Sequence, residues 1–270
     1  MHSLRSCPDR KAKALPSFLA WGHVRLSPIE ILSPIEIQHL LLPDHLPQVA
    51  GFSVESVYMP AREVGGDFFQ VLETQTGSLL IVFGDIAGKG LPAAMLVAML
   101  VGAIRTRARE TGDPVGILSA LNDRLCGNTR GGFATCIAVH ISPDGTVDLA
   151  NAGHLAPYLN GKEIELEGAL PLGVVPDVEF ATTRFLLAPG DGLTFVSDGV
   201  VEATNNRQEL FGFDRLREIS TEHAQRIADA AKRFGQEDDI TVLTFRRLSV
   251  PAQPGSVVDE IAGGLSAIRG

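Results

Sequence analysis

Between residues 52 and 246 the apolar positions alternate mostly with a period of two, and a block of helical spacing interrupts the alternation. Segments 52–58 and 68–73 read as strands, and 78–84 is a nearly unbroken apolar run that predicts a buried strand ending at Asp85. Segment 91–110 has helical spacing, with Pro92 suited to a first turn and Gly112 to a helix end. A second helix is expected over 114–126, with Asp113 as its N-cap. Strands at 133–141 and 146–150 flank Asp144-Gly145, a hairpin signal, and Asn160-Gly161 marks a second hairpin. Further strands are expected at 180–187, 193–197 and 240–246, and polar helices at 215–220 and 222–234. Strands, a helix pair, many antiparallel strands and late helices together predict an α+β layered fold.

The two ends follow another pattern. Residues 1–38 carry a tandem hexapeptide, Leu-Ser-Pro-Ile-Glu-Ile at 26–31 and again at 32–37, whose prolines break any long helix. Two copies are too few for a repeat architecture, so 1–38 reads as an extension or linker. Residues 39–248 are expected to form the domain, and 249–270 a loose tail with a short helix near 257–268. The chain has 270 residues, enough for one large domain with a sizeable core.

Composition narrows the class. Hydrophobic residues are 45% and charged residues 20% of the chain, ordinary proportions for a globular protein. No apolar run reaches the roughly 18 to 20 residues of a membrane span, and no signal-type apolar stretch follows the basic N-terminus. A cytoplasmic location is the expectation. Cys7, Cys126 and Cys136 match no zinc motif and are read as reduced thiols. A formal net charge of −9 argues against nucleic acid as a partner and leaves any anionic substrate to local cations.

Candidate chemistry lies in the aspartates. Asp67 follows Gly65-Gly66 at the start of a strand, and Asp85 closes an apolar strand. Asp198 closes another strand before Gly199, and Asp238-Asp239 opens the last one. Carboxylates at strand ends beside glycine can converge on one point, where hard cations such as Mg²⁺ or Mn²⁺ take oxygen ligands. One Asp-Gly is usually only a turn; four such positions at strand ends point to a metal site.

The ordered series Pro60-Ala-Arg-Glu-Val-Gly-Gly-Asp67-Phe-Phe, Gly84-Asp-Ile-Ala-Gly-Lys-Gly90, Asn151-Ala-Gly-His154, Pro171-Leu-Gly173, Pro189-Gly-Asp191, Ser197-Asp-Gly-Val200 with Glu202-Ala203, and Asp238-Asp-Ile-Thr241 resembles the SpoIIE-like branch of the metal-dependent protein phosphatases, the protein phosphatase 2C superfamily. The match runs from about residue 40 to 247. The resemblance implies a layered α-β-β-α fold, a central antiparallel β-sandwich flanked by helices, with two or more Mn²⁺ or Mg²⁺ ions at one end. By position it makes Asp67, Asp85, Asp198 and Asp238 metal ligands, with Asp239 and the Ile86 carbonyl beside them. It implies hydrolysis of phosphoserine or phosphothreonine by a metal-activated hydroxide. The substrate it suggests is a phosphorylated anti-sigma-factor antagonist; an activating partner protein and a homodimer are also in keeping with the branch. An interaction module of the same fold with weak catalysis is the alternative.

Other residues admit two readings each. Arg62, five before Asp67, is the candidate contact for substrate phosphate, or else a loop arginine. Lys89 could hold phosphate or stay solvated at the site's mouth. His154 is either a general acid or, as its turn-like context favours, a turn stabiliser; Asp191 reads as structural. Gly88-Lys-Gly-Leu-Pro-Ala93 fits a dinucleotide fingerprint, which would need a strand after the following helix where another helix is expected.

Overall fold

The computed structural model describes residues 41–43, 45–61, 65–128 and 132–249. The hexapeptide repeat, Arg62 and the expected helix at 257–268 lie outside the described residues.

Among the described residues, ten strands form two antiparallel sheets. The first sheet has the order β1 (Phe52–Met59), β10 (Ile240–Arg247), β9 (Gly192–Val196), β6 (Tyr158–Leu159), β7 (Lys162–Glu163). The second has the order β2 (Asp67–Glu73), β3 (Leu79–Ile86), β4 (Ala134–Ile141), β5 (Thr146–Ala152), β8 (Thr182–Leu186). Between β3 and β4 run α1 (Leu91–Arg107) and α2 (Pro114–Asn128). Helices α3 (Asp198–Val201), α4 (Gly212–Ile219) and α5 (Ala224–Gly235) fill the interval between β9 and β10.

Period-two alternation sorts the strand residues between layers. In β3, Leu79, Ile81 and Phe83 enter a core shared by both sheets, where Phe195, Leu243 and Phe245 meet them. Leu80 and Val82 face the other way, onto Val97, Leu100 and Ile104 of α1 and Ile117 and Leu121 of α2. Val196, Ile240 and Val242 cover the outer face of the first sheet with Leu216 of α4 and Ile227, Ala228 and Ala231 of α5. Antiparallel sheets often leave one face to water; here both faces of each sheet carry apolar cover. The result is four layers, helix on sheet on sheet on helix, as expected.

Local chemistry sets the boundaries. Asp113 caps α2, accepting from the Val115 amide at 3.2 Å and the Gly116 amide at 3.0 Å. Asn160 and Gly161 both have positive φ, 50° and 84°, as a two-residue hairpin turn requires. Helix α1 ends at Arg107, three residues before its expected limit, and the chain leaves through turns at 108–110. β8 begins at Thr182, because Phe180 is buried against the outer helical core before the strand starts. Helix α3 is an addition to the expected elements; four residues are too few for periodicity to reveal. β3 and β4 are antiparallel neighbours, so the glycine fingerprint at 88–93 has no parallel βαβ unit around it. No helix among the described residues is long and apolar enough to cross a membrane.

Candidate metal centre

Both sheets deliver aspartates to one end of the sandwich. Asp67 opens β2 and Asp85 lies near the end of β3, and the register places them directly opposite each other. From the first sheet, β9 ends at Val196 and Asp198 opens α3, while Asp238-Asp239 leads into β10. Ser197 ties these two ends together. Its amide donates to the Thr241 carbonyl at 3.0 Å, its hydroxyl to the Asp239 carbonyl at 3.1 Å, and the Thr241 amide donates back to its Oγ at 2.9 Å. Carboxylate oxygens of Asp67, Asp85 and Asp198 then lie within 4.8 Å of one another. The Thr241 hydroxyl donates to Asp67 Oδ2 and so links the two sheets at the centre.

Like charges placed opposite each other on neighbouring strands repel. Burial, then the charge of Asp85, holds the Asp67 carboxyl well above the usual range, against the Thr241 hydrogen bond. Burial, then Asp198, Asp238 and Asp239, pushes Asp85 up to about 7. Asp198 is raised by burial and Asp238, against the Gly199 amide and Lys89. Asp239 is raised chiefly by burial, opposed first by the Ala61 amide, which donates to its Oδ1 at 2.9 Å.

These features fit a divalent cation. All the donors are oxygens, the preference of hard ions. A Cβ on Gly66 would stand 2.5 Å from Asp85 Oδ1 and 2.6 Å from the Ile86 carbonyl oxygen, so both oxygens face the space its missing side chain leaves open. Asp239 Oδ2 is buried without a hydrogen bond of normal geometry among the described residues, although the Gly66 and Asp67 amides lie close enough to favour its charged form. A Cβ on Gly65 would collide with that same oxygen at 1.3 Å.

Of the predicted residues, Asp67, Asp85 and Asp198 form the tight group. Asp238 stands at its edge, about 40% exposed, with Oδ2 2.5 Å from Lys89 Nζ and Oδ1 accepting the Asp239 amide at 2.9 Å. Lys89 is therefore an ion-pair partner at the mouth. His154 is buried beneath the centre, with Nδ1 2.9 Å from the Thr135 hydroxyl; burial lowers its pKa to about 4. Its backbone exchanges two hydrogen bonds with the Asn151 side chain, which is the turn-stabilising arrangement. Asp191 holds a turn, accepting from the Ala188 amide at 2.7 Å and the Asn160 side chain at 2.8 Å.

Sequence reasoning missed Ser197 and Thr241 as members of the site, and Tyr58, which lies opposite Thr241 with a buried hydroxyl, as their neighbour. Ser197 and Thr241 stood inside the quoted motifs, and hydroxyls beside the aspartates were the available signal. Tyr58 looked like one more apolar position of β1. Cleft size is no guide either. A cleft of about 540 Å³ lined by Thr74, Arg109, His140, Asp148 and Arg184 lies at the ends of β2 and β3 remote from the aspartates, and a larger one of about 680 Å³, lined by Leu155, Glu163, Glu167 and Phe213, contains none of them either.

Comparison with known proteins places this geometry. The family model of stage II sporulation protein E (SpoIIE) matches residues 75–248, which include Asp85, Asp198, Asp238 and Asp239. Protein IcfG of Synechocystis sp. is 27% identical over 263 residues, covering 81% of this chain and 42% of IcfG. Phosphoserine phosphatase RsbU of Bacillus subtilis is 27% identical over 241 residues, covering 81% of this chain and 71% of RsbU. The chain thus spans less than half the length of one of these relatives. The crystal structure of the RsbU and RsbW domains of Rv1364c from Mycobacterium tuberculosis superposes with a TM-score of 0.65 at 26% identity, over 76% of this chain and 63% of that one. With the match extending over more than half of its length, the chain belongs to the SpoIIE family.

Proposed function

We propose that this chain is a metal-dependent protein phosphatase that hydrolyses phosphoserine or phosphothreonine in a protein substrate. The convergence of Asp67, Asp85 and Asp198 from two sheets within 4.8 Å carries the reading. These three, with the Ile86 carbonyl and the adjacent Asp238 and Asp239, would hold two or more Mn²⁺ or Mg²⁺ ions. Bound there, such ions supply a water acidic enough to attack at neutral pH and neutralise charge on the phosphoryl oxygens.

The chain's own residues prepare that chemistry. Thr241 fixes the Asp67 carboxylate, and Ser197 locks the β9 and β10 ends from which Asp198 and Asp239 project. Unneutralised, the acidic cluster repels a phosphomonoester dianion, so substrate binding follows cation binding. Arg62 is the proposed phosphate contact, since its forked donors match phosphoryl oxygens. The proposed domain is 39–248 and the proposed setting cytoplasmic. RsbU is named a phosphoserine phosphatase and Rv1364c joins an RsbU to an RsbW domain. That supports sigma-factor regulation, with a phosphorylated anti-sigma-factor antagonist as the substrate class. The complete set of carboxylates weighs against a module that only binds.

The test is hydrolysis of a phosphoserine protein by the full chain with Mn²⁺, with EDTA, and with Asp198→Asn. Turnover that needs Mn²⁺ and is lost in the variant is the expected result. Turnover that survives EDTA sinks the proposal.

A further inference from the structure

Tyr58 lies on β1, and the register sets it opposite Thr241 of β10. Its ring packs against the core between the sheets, so the side chain points inward beneath the aspartates. The hydroxyl oxygen is buried and has no hydrogen-bond partner among the described residues. Leaving a phenol O–H unsatisfied costs free energy, and a phenylalanine would fill the same core space without that cost. The hydroxyl therefore answers to something other than packing.

Its surroundings identify what. Burial first, and then the charges of Asp239, Asp67, Asp238 and Asp85, disfavour ionisation of the phenol. Asp67 Oδ2 already accepts from Thr241, and Asp238 Oδ2 is paired with Lys89. Asp239 stands two residues before Thr241, the register partner of Tyr58; the Ala61 amide, three residues after Tyr58, holds its Oδ1 at 2.9 Å, and its Oδ2 is without a well-formed bond. A buried donor without an acceptor on β1 and a buried acceptor without a well-placed donor just before β10 thus lie at the same end of one strand pair.

Resting on the metal-centre reading above, we propose that Tyr58 is a positioning residue for Asp239. In the cation-loaded centre its O–H donates to Asp239 Oδ2 and fixes that carboxylate, which then meets the cation in one orientation. Hydrogen bonds from residues behind a metal ligand set both its orientation and its affinity, and losing one commonly weakens metal binding about 10- to 100-fold. Removing the hydroxyl leaves the ring, the core and every aspartate in place.

The experiment is Tyr58→Phe in the full chain, with Mn²⁺ affinity read by calorimetry and melting temperature read in EDTA. The expected result is an unchanged or higher melting temperature without metal and an Mn²⁺ affinity at least about 10-fold weaker. The Mn²⁺ concentration for half-maximal turnover rises with it, while KM for the phosphoprotein at saturating Mn²⁺ stays. In an Asp239→Asn background the same change is expected to move Mn²⁺ affinity less than about twofold, because the two residues act as one. An unchanged affinity overturns the proposal, as does a lower metal-free melting temperature with normal affinity, the mark of a core filler. Equal losses in both backgrounds also overturn it, since Tyr58 would then act on some other group. A parent that binds no Mn²⁺ removes the metal-centre reading itself and this inference with it.

Discussion

Asp85 carries a carboxyl pushed up to about 7 by burial and by Asp198, Asp238 and Asp239, and this has a consequence for stability. Its ordinary value is 3.8, so between about 4 and 7 the folded protein holds a proton that the unfolded chain has released. Its contribution is therefore most favourable at low pH and is lost as pH rises through that window. His154 works in the opposite sense, since its pKa of about 4 makes folding more favourable as pH rises toward 6.5. Comparison with Asp85→Asn isolates the carboxyl. In EDTA the variant is expected to gain melting temperature relative to the parent as pH goes from 4 to 7.5; a difference that does not grow would refute the repulsion. Asp198→Asn keeps the shape and removes a charge, so we expect turnover to drop about 100-fold or more. The fold should survive, with a metal-free melting temperature at or above the parent's. A structural Asp198 would give the reverse: a less stable variant with turnover intact. Asp67, Asp85 and Asp198 were legible in the sequence because each sits at a strand end close to glycine. The Lys89–Asp238 pair and the placement of Tyr58 were not, because both depend on which strand ends meet, and residues 149 apart give no local sign of meeting.

The junction of β9 with α3 is where an element boundary and the site coincide. A Cβ on Gly199 would stand 2.0 Å from the Asp239 carbonyl oxygen, and backbone cannot swing aside as a flexible side chain can. The glycine lets the start of α3 lie against the residues before β10, which brings Asp198 and Asp239 from neighbouring strands to one place. Gly199→Ala is expected to cost about 1–3 kcal/mol in denaturant unfolding and to weaken Mn²⁺ binding as well. Unfolding energy and Mn²⁺ affinity both at parent level would show that the contact is readily relieved. At this scale the sequence was informative wherever period two ran long, as in β3, β4 and β10, and wherever a turn had its own chemistry. Asn160-Gly161 and the Asp113 cap are examples. It was less informative where tertiary contacts set the limits. Phe180 packs on the helices before β8 begins, and α3 is too short to carry a pattern.

Which strands pair was beyond the reach of periodicity, since β1 takes β10 as its neighbour across almost the whole domain. The helix-sheet-sheet-helix order came from the resemblance; element order predicted only an α+β layered fold, and alternation says that one face of a strand is buried, not what buries it. That pairing matters because the aspartates are split between sheets, Asp67 and Asp85 on one and Asp198 and Asp239 at strand ends of the other. Without a cation their repulsion acts across the sandwich at one end; a cation between them turns the same charges into a clamp. Metal is therefore expected to stabilise the whole molecule and not merely a loop. At 100 times its dissociation constant a ligand that binds only the folded state adds about 2.7 kcal/mol. For a domain of this size each kcal/mol is about 2–4 °C, so Mn²⁺ should raise the melting temperature by about 5–10 °C. Amide exchange should slow at the carboxylate ends of β2, β3 and β9 together, because one clamp holds both sheets. Slowed exchange confined to one sheet, or no rise in melting temperature at saturating Mn²⁺, would mean that the aspartates do not share an ion.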